Sequence, residues 1–313
     1  MQVISVIGAS GFIGHHLLSL LAGKDGLEIR VLVHRQRPII SEQANVRFVE
    51  GGLLHPETLA QLLEPGCVVL NLVYLASCST LENLKAMDNL ARACASRGVK
   101  RLVHCSTAVV VGGVEANIVD ERSQCNPRTQ YEQTKLEMER QLLIKASPGY
   151  EVTILRPTAV FGAYGKNLVK LADNLVKGNK LINYVKSSIF NGRSLNLVCV
   201  DNVVAALVFL ALTDRNVDGE VFIISDDNSP SNNYRGVENL LIKKFALKAY
   251  PMPRIPIPLF ILGFLLNLAG RSQSNPSVKF SDQKLVSFGF RKPMDFEAGI
   301  DKFVDWYRSN ENT

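Results

Sequence analysis

The sequence predicts an α/β protein built on a doubly wound parallel sheet, and three observations carry that expectation. Short apolar runs rich in β-branched residues alternate with helical patterns through the first half of the chain. The runs are apolar throughout instead of alternating, as strands covered by helices on both faces are. Three glycines, Gly8, Gly11 and Gly14, stand between the first such run and the first helical pattern.

The elements follow in order. Val3–Gly8 reads as a strand and Phe12–Leu21 as the helix after it. Ile29–Val33, Val46–Glu50 and Cys67–Val73 are the next strands, with Pro56–Leu63 helical between the last two. A long helix over about Leu81–Arg97 leads into the strand Arg101–Ser106. A second long amphipathic helix, about Arg128–Ala146, precedes the strand Val152–Pro157. After Pro157 the loops lengthen and Gly and Asn become common. Leu195–Val200 and Val221–Ser225 read as returning strands, Asp201–Leu212 as a helix, and helices dominate as far as Trp306. The polar tail Ser309–Thr313 is expected to fray. We therefore expect a dinucleotide-binding core over 1–157, with returning segments near 195–225, and a smaller C-terminal α/β substrate-binding cap over 158–313.

Composition narrows the classes. With 47% hydrophobic and 20% charged residues the chain is an ordinary globular protein, which excludes disordered and fibrous classes. Its 35 basic and 29 acidic residues give a net charge of +6, scattered along the chain, so no nucleic-acid footprint is expected. Six cysteines show no C-x-x-C spacing and several sit in apolar runs, as reduced core thiols of a cytoplasmic protein do. Met1 and Gln2 run straight into an apolar strand without a basic lead, so no secretory signal is expected. The apolar stretch Ile255–Gly270 is about 16 residues and opens on Pro256 and Pro258, short of the roughly 20 a spanning helix needs. It reads as a buried or lid helix, with peripheral membrane contact as the alternative.

The chemistry begins at the glycines. Their G-x-x-G-x-x-G spacing allows a tight turn, close approach of backbone to a pyrophosphate, and tight helix–strand packing, with the phosphate at a helix N-terminus. Lying between the first strand and first helix of a βαβ pattern, they predict a Rossmann dinucleotide site. Where an NAD site places a carboxylate after the second strand, this chain has His34, Arg35 and Arg37. Arg35 is the candidate ligand for a 2′-phosphate, so NADP is expected, with NAD the alternative. Ser106 and Thr107 follow the fifth strand, where α/β proteins bind ligands, and suit a hydrogen bond to a substrate oxygen. Tyr131 and Lys135, one turn apart on the helix between the fifth and sixth strands, share a face. Lys135 is placed to lower the phenol pKa and hold the nicotinamide ribose, which would make Tyr131 a general acid or base. His15 and His16 read as helix surface, Asp226 and Asp227 as solvated loop residues, and no metal site is expected because no histidine follows His104.

Six segments, "VIGASGFIG", "ACASRGVKRLVHCSTAVVVGG", "YEQTKLEMER", "ILRPTAVFGAYGKN", "LNLVCVDNVVAAL" and "FGFRKPMDFEAGIDKFVDWY", occur in the order of the signatures of one family. Nearly the whole chain resembles an extended short-chain dehydrogenase/reductase, of the NAD-dependent epimerase/dehydratase family that acts largely on nucleotide sugars. The resemblance makes Thr107 the catalytic hydroxyl beside Tyr131 and Lys135. It puts Gly8, Ser10, Gly11, Phe12, Ile13, Gly14, Arg35, Leu53, Leu75, Ala76, Asn83 and Pro157 at the cofactor, with Tyr131 and Lys135. Ser106, Thr107 and Arg193 fall at the substrate. It also implies a homodimer made through the two long helices near Leu81–Arg97 and Arg128–Ala146.

The departures bear on substrate. Gly52 stands where the family usually has an acid after the third strand, Ala159 where an asparagine often meets sugar-nucleotide phosphates, Leu195 where an arginine is common, and Cys199 where the family has histidine. Ala108 and Val109 replace the Asp-Glu pair of dehydratases. The expected activity is NADPH-dependent reduction of a 4-keto nucleotide sugar. The alternatives are an NAD-dependent nucleotide-sugar 4-epimerase, a reductase of a steroid- or flavonoid-like ketone, and a non-catalytic NADP-binding sensor or scaffold.

Overall fold

In the computed structural model the described residues are 1–38, 43–114, 116–145, 149–253, 255, 258–268 and 275–311. In chain order the elements are β1 (Gln2–Ile7), α1 (Phe12–Leu21), β2 (Leu27–Val33), β3 (Val46–Glu50), α2 (Leu59–Leu62), β4 (Val68–Asn71), α3 (Thr80–Ser96), β5 (Arg101–Cys105), β6 (Ile118–Val119), α4 (Gln130–Lys145), β7 (Glu151–Pro157) and β8 (Ala159–Phe161). They continue with α5 (Val169–Lys177), α6 (Lys180–Phe190), β9 (Leu197–Cys199), α7 (Val200–Leu212), β10 (Val221–Ile224), α8 (Tyr234–Lys244), α9 (Leu259–Leu268), β11 (Lys279–Phe280), α10 (Gln283–Ser287) and α11 (Phe296–Glu311).

Seven strands form one sheet in the order β10-β7-β5-β4-β1-β2-β3, and every pair from β3 to β7 is parallel. The chain leaves β1 in one direction and returns to β4 in the other, which opens a crevice at the carboxyl ends of β1 and β4, the usual ligand position in such sheets. The strands are apolar because helices cover both faces. Val69, Met87, Leu90, Leu102 and Met138 pack in one core, and Ala86 and Cys94 of α3 lie in it fully buried.

The chain divides into two compact units. The first comprises 1–110, 129–156 and 204–222; the second comprises 111–128, 157–203 and 223–313. In the first, the buried Arg101 guanidinium caps the end of α7. It donates to the carbonyls of Leu210 (2.9 Å) and Thr213 (2.7 Å) and pairs with Glu151. The second has its own core of Phe161, Leu197, Val237, Ile300 and Phe303.

Most elements fall where the sequence puts them. Three differences have local causes. Pro56–Thr58 is a 3₁₀ turn before the one-turn α2, as a Pro start and a short segment favour. The strand expected over Leu195–Val200 is only Leu197–Cys199, because α7 already starts at Val200. Asp226 and Asp227 are buried, correcting their reading as solvated. Lys292 bridges Asp226 (3.0 Å) and Asp282 (2.6 Å), while Asp227 accepts from the Phe280 N–H and from Asn196 and Asn232. Of the Ile255–Gly270 stretch, α9 covers Leu259–Leu268; residues 256–257 and 269–270 lie outside the described residues, as does Ala146 of the second long helix.

Candidate active site

β1 ends at Ile7, and Gly8 turns the chain with φ +91°, a conformation L side chains avoid. The Gly11 N–H donates back to the Gly8 carbonyl over 3.2 Å, and α1 starts at Phe12 with Gly11 as its cap. A methyl group on Gly14 would stand 2.2 Å from the Gly8 oxygen and 2.6 Å from Ala9 Cα, so residue 14 has to be glycine. No acidic side chain lies in the first turn of α1, and the first N–H groups of a helix lack intrahelical acceptors. Around Phe12 and Ile13 that leaves backbone donors and a positive helix end without a competing carboxylate, which fits a dinucleotide pyrophosphate.

A cleft of about 610 Å³ opens beside this turn, lined among others by Gly8, Ser10, Arg35, Leu53 and Leu75. The two arginines after β2 part company. Arg35 lines the cleft, whereas Arg37 lies over the Phe48 ring, its Cζ 3.9 Å from the centroid. His34 also lines the cleft and fills the space an acid would take at position 52, since a Cβ on Gly52 would meet His34 Nδ1 at 2.9 Å. Leu75 is held by Asn83. The Leu75 N–H donates to Asn83 Oδ1 (2.9 Å), and Asn83 Nδ2 donates to the carbonyls of Leu75 (3.1 Å) and Ser79 (3.0 Å). Asn83 is buried and its amide is spent on that loop, so it positions the cleft wall. Ala76, one residue on, is exposed and outside the lining. Cys78 and Glu82, which the sequence reading missed, line the cleft. The reciprocal bonds of Ser79 and Glu82 that start α3 were legible as S-x-x-E.

The catalytic candidates meet at the end of β5. Thr129 and Glu132 cap α4 reciprocally, the Glu132 N–H donating to Thr129 Oγ1 and the Thr129 N–H to Glu132, which puts Tyr131 in the first turn. The Thr107 hydroxyl is near enough to favour the ionised Tyr131 phenol, and the Tyr74 ring stands edge-on to Tyr131 at 4.9 Å. Although 41% of Tyr131 is accessible, removal of the phenol from water dominates and pushes its pKa up to about 12, with Cys105 and Tyr74 adding to the rise and Thr107 opposing it. The expected lowering by Lys135 is not what the geometry gives. Lys135 is 2% exposed, and its Nζ donates to the Cys105 carbonyl over 2.9 Å. Burial also lowers its own pKa. The Ser106 Oγ, also buried, has no hydrogen-bond partner among the described residues.

Behind Lys135 lies a buried polar chain. Asn71 Oδ1 accepts from the Val73 N–H (3.1 Å), so the amide NH₂ faces His104 Nδ1 at 3.0 Å. Burial keeps the imidazole neutral, Nδ1 is therefore the acceptor, and Nε2–H faces Lys135 Nζ at 3.5 Å. Sequence reading passed over this chain because both residues sit within apolar strands.

Pro157 and Arg193 belong to the second unit. Pro157 closes β7 and is buried; Arg193 lies over the Phe190 ring, 5.7 Å from Cζ to centroid. Ala159 and Cys199 bracket the β8–β9 ladder. Among the described residues no group of three or more His, Cys, Asp or Glu could hold a metal ion.

Fold and family are those of a nicotinamide-dinucleotide enzyme, with Tyr131, Lys135 and Thr107 as its candidate catalytic group. The sequence profile of the "NAD dependent epimerase/dehydratase family" matches residues 4–225, and the chain belongs to that family, within the extended short-chain dehydrogenase/reductases. It is 28% identical over 236 residues to the 4-hydroxy-2-methyl-3-oxo-4-farnesyl-3,4-dihydroquinoline-1-oxide ketoreductase of Stigmatella aurantiaca, covering 71% of this chain and 67% of that one. It is 27% identical over 241 residues to the decarboxylating sterol-4-alpha-carboxylate 3-dehydrogenase of Homo sapiens, covering 71% of this chain and 62% of that one, so it spans under two thirds of that relative. Among solved structures it resembles the dTDP-glucose 4,6-dehydratase of Bacillus anthracis in complex with NAD, with a TM-score of 0.76 at 18% identity over 100% of this chain and 98% of that one. That likeness shows the fold.

Proposed function

We propose that the protein is an NADP(H)-dependent oxidoreductase that interconverts a ring ketone and its alcohol, with a lipophilic isoprenoid or sterol-like ring as substrate. The observation that carries the chemistry is the placement of Tyr131 in the first turn of α4, its ring against Tyr74 and its phenol under the influence of Thr107 and Cys105 at the carboxyl end of the sheet. A bound nicotinamide dinucleotide supplies hydride for the carbonyl carbon, or takes it up in the reverse direction. Tyr131 gives its proton to the carbonyl oxygen as that oxygen becomes an alkoxide, and Thr107 hydrogen-bonds the same oxygen. Lys135, fixed by the Cys105 carbonyl, uses its remaining N–H donors for the ribose. Arg35 pairs with the 2′-phosphate at the open side of the cleft, which supports NADP over NAD.

The lipophilic substrate is supported by the two curated relatives, whose names carry a farnesyl quinoline and a sterol. Ala159 and Leu195, standing where sugar-nucleotide contacts are common in the family, point the same way. The second reading, reduction of a 4-keto nucleotide sugar, is favoured by the dTDP-glucose enzyme among the structural neighbours. Oxidation of NADPH and of NADH, followed by absorbance, is to be measured with a panel of sterol and prenylated quinoline ketones beside dTDP- and UDP-4-keto sugars. Turnover of the lipophilic ketones with NADPH is the expected result. Turnover of the sugars alone supports the second reading, and turnover of neither, with NADPH bound, supports the sensor.

A further inference from the structure

α6 is folded inside out. Its polar Asn183 and Ser187 are buried, whereas Leu181 (67%), Ile182 (54%) and Val185 (45%) are exposed. At i, i+1 and i+4 these three fall on one side of the helix. The orientation is locked from within. Ser187 donates to the buried Glu238 of α8, Tyr250 donates to the same carboxylate over 2.8 Å, and Asn183 donates to the Asn174 carbonyl over 2.5 Å. Rotating the helix to hide its leucine, isoleucine and valine would leave these groups buried without partners.

The Tyr184 hydroxyl of α6 donates to the Pro253 carbonyl over 3.0 Å, and Met252, Ile255 and Phe260, near Pro253 in the chain, are exposed as well. An apolar surface of this kind marks a binding face. Its charge names the occupant. No carboxylate occurs between Asp173 and Asp201, nor between Glu238 and Asp282, while those stretches carry Lys180, Lys186 and Lys248 among other bases.

We infer that the face made by α6 and the start of α9 docks on the surface of an anionic lipid bilayer. Apolar side chains enter the headgroup region while the lysines of the same segments meet lipid phosphates. A second copy of the chain is a poor occupant, because a two-fold contact through these two segments sets lysine against lysine and neither segment carries a carboxylate. α9 does not cross: no helix among the described residues is long and apolar enough to span a membrane. The inference concerns this surface of the second unit and holds for either substrate class.

The full chain is to be sedimented with vesicles of phosphatidylcholine alone and of phosphatidylcholine with phosphatidylglycerol, at low and high salt. Binding to the anionic vesicles at least tenfold above the neutral ones, falling with salt, is the expected result. The double variant Ile182→Ser, Val185→Ser should lose at least tenfold in vesicle binding while NADPH affinity and Tm are retained. Lys180→Gln with Lys248→Gln should bind more weakly and with less salt dependence, without disturbing any apolar contact. Equal binding to neutral and anionic vesicles, no binding to either, or unchanged binding of both variants would overturn the inference. So would light scattering that shows an oligomer of the unmodified chain dissolved by the Ile182→Ser, Val185→Ser change.

Discussion

Lys135 donates to the carbonyl oxygen of Cys105 over 2.9 Å, which ties helix α4 to the end of strand β5 through a buried ammonium group. Tyr131 lies one turn earlier on the same helix and Thr107 two residues past Cys105, so this bond fixes the separation of the two groups proposed to handle the substrate oxygen.

Replacement of Lys135 by methionine keeps the aliphatic stem but strands the Cys105 carbonyl. Stability should fall by about 1–3 kcal/mol, the cost of a buried acceptor left unpaired. NADPH affinity and turnover should fall together, because the ribose loses its donor. Thermal unfolding, cofactor titration and steady-state rates test this; a Lys135→Met protein with unchanged Tm and NADPH affinity would contradict it.

The pH dependence follows from the phenol. Removal from water raises the Tyr131 pKa to about 12, so the proton needed for ketone reduction is present throughout the neutral range. Reduction should hold level from about pH 6 to 9 and decline only as the phenol ionises at higher pH. Alcohol oxidation needs the phenolate and should climb with pH over the same interval. Rates measured in both directions across that range check the signs; a reduction rate falling tenfold between pH 6 and 8 would argue for a different acid.

Arg35 lines the cleft and Arg37 is stacked on Phe48, so the choice of cofactor rests on Arg35. Arg35→Asp should cost roughly 10–100-fold in NADPH affinity, the loss of a charge-assisted contact, and leave NADH nearly unchanged. Arg37→Ala should change neither appreciably. Fluorescence titration of both cofactors against the three proteins is the test, and equal NADPH and NADH affinities in the unmodified chain would refute the NADP preference.

At Gly14 a methyl group meets backbone at 2.2 Å, with no flexible side chain to give way. Gly14→Ala should therefore cost about 1–3 kcal/mol by overpacking and distort the phosphate turn. The measurable outcome is a lower Tm together with loss of NADPH binding. Retention of both would show that α1 can shift from β1 at little cost.

The parallel sheet and the glycine turn were legible because each rests on local rules: apolar runs of strand length, and glycines where backbone must pass close to backbone or phosphate. Tyr131, Lys135 and Thr107 were legible by position relative to those strands. The electrostatics were not. A four-residue spacing shows that Tyr131 and Lys135 share a helix face, but not that one ends beside Thr107 and the other against a strand carbonyl. Asn71 and His104 were invisible because a polar residue in an apolar strand discloses neither its depth nor its partner. Asp226 and Asp227 were misread for a related reason: loop composition suggested solvent, while Lys292 and Asn232, far along the chain, enclose them. The inverted α6 was missed because an amphipathic pattern gives the apolar face and not which way it points.

The most direct measurement of the central claim is single-turnover hydride transfer by Tyr131→Phe with bound NADPH and whichever ring ketone the unmodified protein accepts. The substitution keeps the ring against Tyr74 and removes the one hydroxyl placed to protonate the alkoxide. The rate should fall by about 10²–10⁴ while NADPH affinity and Tm hold. A folded Tyr131→Phe protein that binds NADPH and transfers hydride within tenfold of normal would contradict the assignment.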